Sequence, residues 1–336
     1  MHIVKKAYTM EENRSTVIER LAETYPQLYL DPDKADIEEY KSCVLQGKRP
    51  DKCSLSHFVM DERDSAESIE TPAGTAEVIT LHNRHDFEVF VRCMMAAKSG
   101  PRDIIPPTMG ASTIVAFNWP KIDAHKAAFY EEQQAAGVVF PDWGAEFKRF
   151  TAVKANYQDL LIVLSRGPYS NVTAAQVSEC MTADGRSAVN DDEWMEMSGD
   201  IRKYHELTHF VCRNLYPDKI DEIWDELAAD AVGIYGATGE YSRGLEELFL
   251  GITDVRYTGG RLENYTAEGT DMDKLAAAAD TVLREFESAI RKASYGGTGA
   301  ADSCLKEKNI FDIMIMIEEL YDSYAPHLRI TEGKVL

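Results

Sequence analysis

The sequence predicts an α+β chain, with a small mixed β-sheet in its N-terminal half and a mainly helical C-terminal half. Two observations carry this. Three short β-type runs alternate with helical patterns between about residues 76 and 165, and from about residue 172 every periodic segment has helical spacing. The organisation expected is a helical segment over 1–60, an α/β subdomain over 76–188, and a helical subdomain over 189–336.

In chain order, the first sixty residues read as helical, with apolar residues at helical spacing in TVIERLAETYPQLYL and ADIEEYKSCVL. The stretch DERDSAESIETPAGT, residues 61–75, offers almost nothing to bury and reads as a linker or exposed loop. The β-type runs are AEVITL, directly after Thr75, then STIVAFNW (112–119) and DLLIVLS (159–165). Helical patterns lie between them at HDFEVFVRCMMAAK and at KIDAHKAAFYEEQQAAG, the latter running on into GAEFKRFTAVKANY. Further helices are expected over 172–182, 190–216, 218–235, 240–252, 271–293 and 306–324, the last two separated by the Gly-rich SYGGTGAADS. No internal repeat is visible.

Composition narrows the function classes. The chain has 336 residues and a formal net charge of −21, which repels phosphate and argues against a nucleic-acid partner or an anionic membrane. No run approaches the ~18 apolar residues that cross a bilayer, and the start, MHIVKKAYTMEENRSTVIERL, lacks the apolar core of a secretory signal. Six scattered cysteines without a CxxC pair suit reduced thiols, so a cytoplasmic location is expected.

The chemistry concentrates in KYHELTHF, residues 203–210. His205 and His209, four apart on a helix, lie about one turn apart on the same side and can reach one ion. Glu206, adjacent to His205, is placed to take a proton from water rather than to bind the ion. By chance HExxH arises in about one chain in a hundred of this length, so placement matters. Ile201, Tyr204, Thr208, Val211, Cys212 and Leu215 form an apolar stripe, and the two histidines sit on its rim.

Pro217 should end this helix near Tyr216, and Asp218 can cap the next. The second stripe is Ile220, Ile223, Trp224, Leu227, Ala231 and Ile234. Asp221 and Asp225 point away from it, while Glu226 and Asp230 lie on its edge one turn apart. One of this pair can be a third ligand, and the other can orient a ligand histidine. Glu206 and His209 also spell the ExxH of di-iron bundles, but no other histidine has a glutamate three residues before it. His82 and His85, in LHNRHD, lack an acidic partner at ligand spacing and read as surface or helix-start residues.

HELTH followed by ELAAD resembles the gluzincin branch of the zincin metallopeptidases, the thermolysin-like HExxH…ExxxD arrangement, over about 30 residues. The resemblance implies a zincin-like fold with the HExxH helix at the cleft, and one zinc ion bound by His205, His209 and Glu226. It implies Glu206 as general base, Asp230 as hydrogen-bond partner of a ligand histidine, and a peptide or protein substrate. Sixteen residues separate His209 from Glu226, fewer than is usual in that group, so the inter-helix loop must be short. Lys203 falls where the motif normally has an uncharged residue. Such enzymes also use a Tyr, His or Arg as oxyanion donor, and Tyr257, Arg261 and Tyr265 in DVRYTGGRLENYTAEG are the candidates. Substrate commonly pairs with an exposed sheet edge. DLLIVLS and the following RGPYSN are the expected edge, with Gly167 and Tyr169 as substrate-binding residues; IPPTMGASTIVAFNW competes. The same ligands would serve a zinc hydrolase of a non-peptide amide. A non-catalytic interaction protein on this fold would more simply have lost Glu206.

Overall fold

The structure, a computed structural model, describes residues 15–95, 105–219, 221–295 and 303–330. It is mixed α+β, with a small sheet followed by a mostly helical C-terminal half. Its contacts divide the chain into two units. One runs from the N-terminal helices to Ser165, the segment Glu70–Gly74 apart. The other holds that segment and the chain from Arg166 onward. The boundary thus falls after Ser165 rather than at 60 and 188.

In the first unit, α1 (Val17–Thr24) and α2 (Ile37–Gln46) precede the strands. Helix α1 starts on a reciprocal cap: the Thr16 hydroxyl accepts from Glu19 N and the Glu19 carboxylate from Thr16 N. Strands β1 (Ser65–Thr71) and β2 (Gly74–Leu81) meet at the tight turn Pro72–Ala73, α3 (Arg84–Met95) follows, and then β3 (Ala111–Phe117). Helices α4 (Trp119–Ala135) and α5 (Trp143–Phe150) lead to β4 (Gln158–Ser165). The sheet order is β1-β2-β4-β3, with β4 parallel to β2 (Val78 beside Ile162) and antiparallel to β3 (Ile114 beside Leu161).

Strand β1 lies inside the stretch expected to be a linker. Of its seven residues only Ile69 and Thr71 are buried, so the sequence shows no apolar alternation, and pairing with β2 makes it a strand. Ile18, Ala22, Ile79, Leu81, Phe87, Phe90, Leu161 and Val163 share one core. The N-terminal helices therefore complete the sheet's core rather than forming a separate segment. Each such fully buried Ile or Phe contributes about 1.5–3 kcal/mol of transfer free energy.

The second unit is helical: α6 (Ala174–Ala183), α7 (Asp191–Leu215), α8 (Glu222–Thr238) and α9 (Arg243–Leu250) come first. A two-residue ladder, β5 (Ile252–Thr253) with β6 (Arg256–Tyr257), leads to a 3-10 turn at Arg261–Tyr265 and then to α10 (Met272–Tyr295), α11 (Ser303–Glu319) and α12 (Tyr321–Leu328). Helix α8 is buried nearly all round from Leu227 to Gly236, which makes it the central element. Its cap is Asp221, which accepts from Trp224 N, and not Asp218. Asp225 is buried against Arg213 rather than pointing outward, and Ile220 lies outside the described residues. Among the described residues no helix is long and apolar enough to cross a membrane.

Candidate metal centre

Helices α7 and α8 form a hairpin across a six-residue connection, as the close spacing of the two motifs requires. Two glycines let them approach. A Cβ on Gly233 would lie 2.8 Å from the Ile201 carbonyl oxygen, and one on Gly236 would lie 2.3 Å from the Tyr204 ring. Any larger residue there would push the helices apart at the level of His205.

This approach brings three donors together. His205 Nε2 and His209 Nε2 are 3.1 Å apart, and Glu226 places one oxygen 3.5 Å from the first and the other 3.3 Å from the second. A four-coordinate cation with ligand bonds of about 2.0–2.1 Å has ligand–ligand edges of about 3.3–3.4 Å. The three distances fall around that value, the two to Glu226 ending on its different oxygens, so His205, His209 and Glu226 together could hold one such ion. Both rings are buried, and Glu226 keeps 17% of its side chain exposed, so the centre opens on the Glu226 side.

Asp230 stands behind His205. Its Oδ1 lies 2.9 Å from His205 Nδ1 and accepts from the Tyr169 hydroxyl at 2.6 Å, while its Oδ2 accepts from Arg261 Nη2. An ionised carboxylate can only accept, so Nδ1 carries the hydrogen and Nε2 turns its lone pair toward His209 and Glu226. Burial opposes charge on all these groups, yet their partners prevail. Asp230 is held well below the usual carboxylate range by Arg261 and His205. Glu226 is drawn down to about 2 by His209 and His205, and the His205 pKa is raised by Asp230 and Glu226.

Each residue named from the sequence has a place. Glu206 lies half-buried on α7 beside His205. Tyr265 is largely buried, and burial pushes its phenol well above its ordinary value, with the Asp230 and Glu226 carboxylates adding to the rise. Arg261, expected as an oxyanion donor, instead bonds Asp230 and lies over the Tyr169 ring, 4.7 Å from its centroid. Tyr257 is not brought to the cluster: its hydroxyl spans the amide and carbonyl of Gly260, 3.0 Å from each. This loop turns where Gly251 (φ +76°) and Gly260 meet; a Cβ on Gly251 would lie 2.3 Å from the Gly259 carbonyl oxygen. Lys203 pairs with Asp200 at 3.4 Å and lies over the Tyr204 ring.

The expected substrate edge is corrected. DLLIVLS is β4, an interior strand hydrogen-bonded on both sides by β2 and β3, so it has no free edge. The competing segment contains β3, which is an edge strand. Tyr169 is 3% exposed and committed to Asp230 and His205, so it is a support rather than a substrate contact. The Gly167 carbonyl accepts from Arg202 Nη1.

Two supports went unread in the sequence. Ser198 Oγ accepts from Tyr169 N at 3.0 Å, and the buried Arg202 donates to the Gly167 and Pro168 carbonyls and lies over the Tyr169 ring. The signal was present: Ser198, Arg202, His205 and His209 follow one another at helical spacing, a polar stripe beside the apolar one.

With this geometry in view, the chain belongs to a family of unknown function, DUF7005, whose profile it matches over residues 2–306. No curated protein and no solved structure matches the chain.

Proposed function

We propose that this protein is a zinc-dependent metallopeptidase of gluzincin kind, with a zincin-like arrangement around α7 and α8. The single observation that carries this reading is the convergence of two imidazole Nε2 atoms and one carboxylate at edges of 3.1, 3.3 and 3.5 Å. Two nitrogens and one carboxylate oxygen form a donor set that suits zinc and leaves a fourth position for water or substrate. Zinc bound there supplies an acidified water and polarises a carbonyl.

The chain's own residues do the rest. Asp230, held by Tyr169 and Arg261, fixes the His205 ring and its tautomer. Glu206 takes the proton from water and delivers it to the leaving amine nitrogen as the C–N bond breaks. Tyr265, a largely buried phenol under the electrostatic influence of Glu226, is the hydroxyl we assign to the developing oxyanion.

The test is turnover of a quenched-peptide panel, run beside a panel of small amides that separates the two substrate classes. Glu206→Gln should abolish cleavage while retaining the metal. Cleavage by this variant at the wild-type rate would remove Glu206 from its role.

A further inference from the structure

Behind the metal centre α8, α9 and the 3-10 turn pack together, and their junction holds two carboxyl groups and one guanidinium: Asp230 from α8, Glu246 from α9 and Arg261 from the turn. Both acids are wholly buried. Their partners differ. Asp230 has three, the His205 ring, the Tyr169 hydroxyl and Arg261 Nη2. Glu246 has the Tyr241 hydroxyl, 2.8 Å from Oε2, while its buried Oε1 has no hydrogen-bond partner. Arg261 Nε is likewise buried without one. An acceptor on one residue and a donor on the other are thus left over at the same junction.

The count of donors decides the charge. A carboxylate taken out of water stays ionised only where several donors or a cation hold it. Arg261 is already committed to Asp230, and a single phenol is too little for Glu246. Burial, the Asp230 charge and Glu247 push the Glu246 pKa well up, and Tyr241 and Arg261 do not reverse this. The other charged groups packed around α9 are engaged elsewhere. Asp280 and Glu287 of α10 pair with Arg243, Asp280 also pairs with Arg284, and Asp184, just beyond α6, accepts from Ser242.

We propose that Glu246 is a positioning residue of the metal centre and acts as a neutral acid, its Oε1 accepting from Arg261 Nε, directly after a small shift or through one bridging water, so that Nη2 stays on Asp230 and Asp230 on His205. A carboxylic acid and a phenol can exchange donor and acceptor roles, so the proton lies between Glu246 Oε2 and Tyr241 and leaves Oε1 as an acceptor. An ionised Glu246 would instead compete with Asp230 for the same guanidinium. The effect on zinc rests on the ligand assignment proposed above; the protonation of Glu246 does not.

Two measurements test this. The first uses the metal-free chain: urea melts from pH 4.5 upward compare wild type with Glu246→Gln, the uncharged isostere. A group neutral in the fold but ionised in the unfolded chain above 4.5 costs stability as pH rises, until it ionises in the fold as well. The folding equilibrium of wild type should therefore fall relative to Glu246→Gln by about tenfold per pH unit through that window. A gap that stays constant, or moves in favour of wild type, would overturn the neutral acid. Should Glu246→Gln not fold, carboxyl carbon NMR of glutamate-labelled chains decides. A signal with the shift of a protonated acid at neutral pH, present in wild type and missing from Glu246→Asp, is expected, and its absence from wild type would overturn the proposal. The second measurement is chelator competition for zinc. Glu246→Leu should bind about tenfold or more weakly, and Glu246→Gln should restore affinity to within about threefold of wild type. Unchanged affinity in Glu246→Leu, or a loss in Glu246→Gln as large as in Glu246→Leu, would overturn the positioning role. Wild type that binds no zinc would instead remove the ligand assignment, with the pH comparison still deciding the state of Glu246.

Discussion

The Tyr169 hydroxyl lies 2.6 Å from Asp230 Oδ1 and 2.9 Å from His205 Nδ1, closing a triangle behind the histidine. Tyr169 is itself gripped by Ser198 at its amide and by the Arg202 and Arg261 guanidinium groups over its ring. One α7 histidine is thus oriented by residues from three separate chain segments.

Asp230→Asn should lower zinc affinity by about 10–100-fold, because the amide can donate to Nδ1 and select the wrong tautomer. It should also cost up to about 3 kcal/mol of stability, since the half-buried Arg261 would be left beside a neutral group. Chelator competition and urea melts measure the two effects separately. Tyr169→Phe keeps the carboxylate and should lose affinity less.

Metal affinity should fall as pH falls. The His205 pKa is raised above its ordinary 6.5 in the metal-free protein, so protons compete for its Nε2 at pH values higher than an ordinary histidine would allow. Zinc titrations between pH 5 and 8 should show the apparent affinity already declining as pH falls through values above 6.5. An affinity that stays level down to pH 6.5 would contradict the pairing with Asp230 and Glu226.

Glu226 makes a prediction for the metal-free chain. Its folded pKa, about 2, lies below the ordinary 4.5, so its stabilisation is fully present above 4.5 and is lost as pH falls toward 2. The gap in unfolding free energy between wild type and Glu226→Gln, up to roughly 3 kcal/mol, should close over that window. A gap that stays constant through it would show that the carboxylate's charge does not contribute.

Gly233→Ala tests the helix approach on which the donor convergence depends. The new Cβ would sit 2.8 Å from backbone, where little can give, so a loss of about 1–3 kcal/mol and weakened zinc binding are expected. Thermal melts with and without zinc measure both.

Much of this was legible in the sequence because periodicity and steric rules act locally. The two stripes, Pro217 as terminator and the one-turn spacing of Glu226 and Asp230 place His205, His209 and Glu226 on facing rims before any coordinates are seen. Strand β1 was not legible, since its stability comes from a neighbour rather than from apolar alternation. Nor was the interior position of β4, because strand order is a property of the crossover and not of the strand. Tyr169 and Arg261 were read as reaching substrate. Their commitment to Asp230 depends on a loop and a 3-10 turn whose paths no short pattern encodes.

Elemental analysis of the purified protein tests the central claim most directly. One zinc per chain in wild type, lost in both His205→Ala and Glu226→Ala and kept in Glu206→Gln, is the expected result. Wild type without stoichiometric metal, or zinc retained when either ligand is removed, would contradict it.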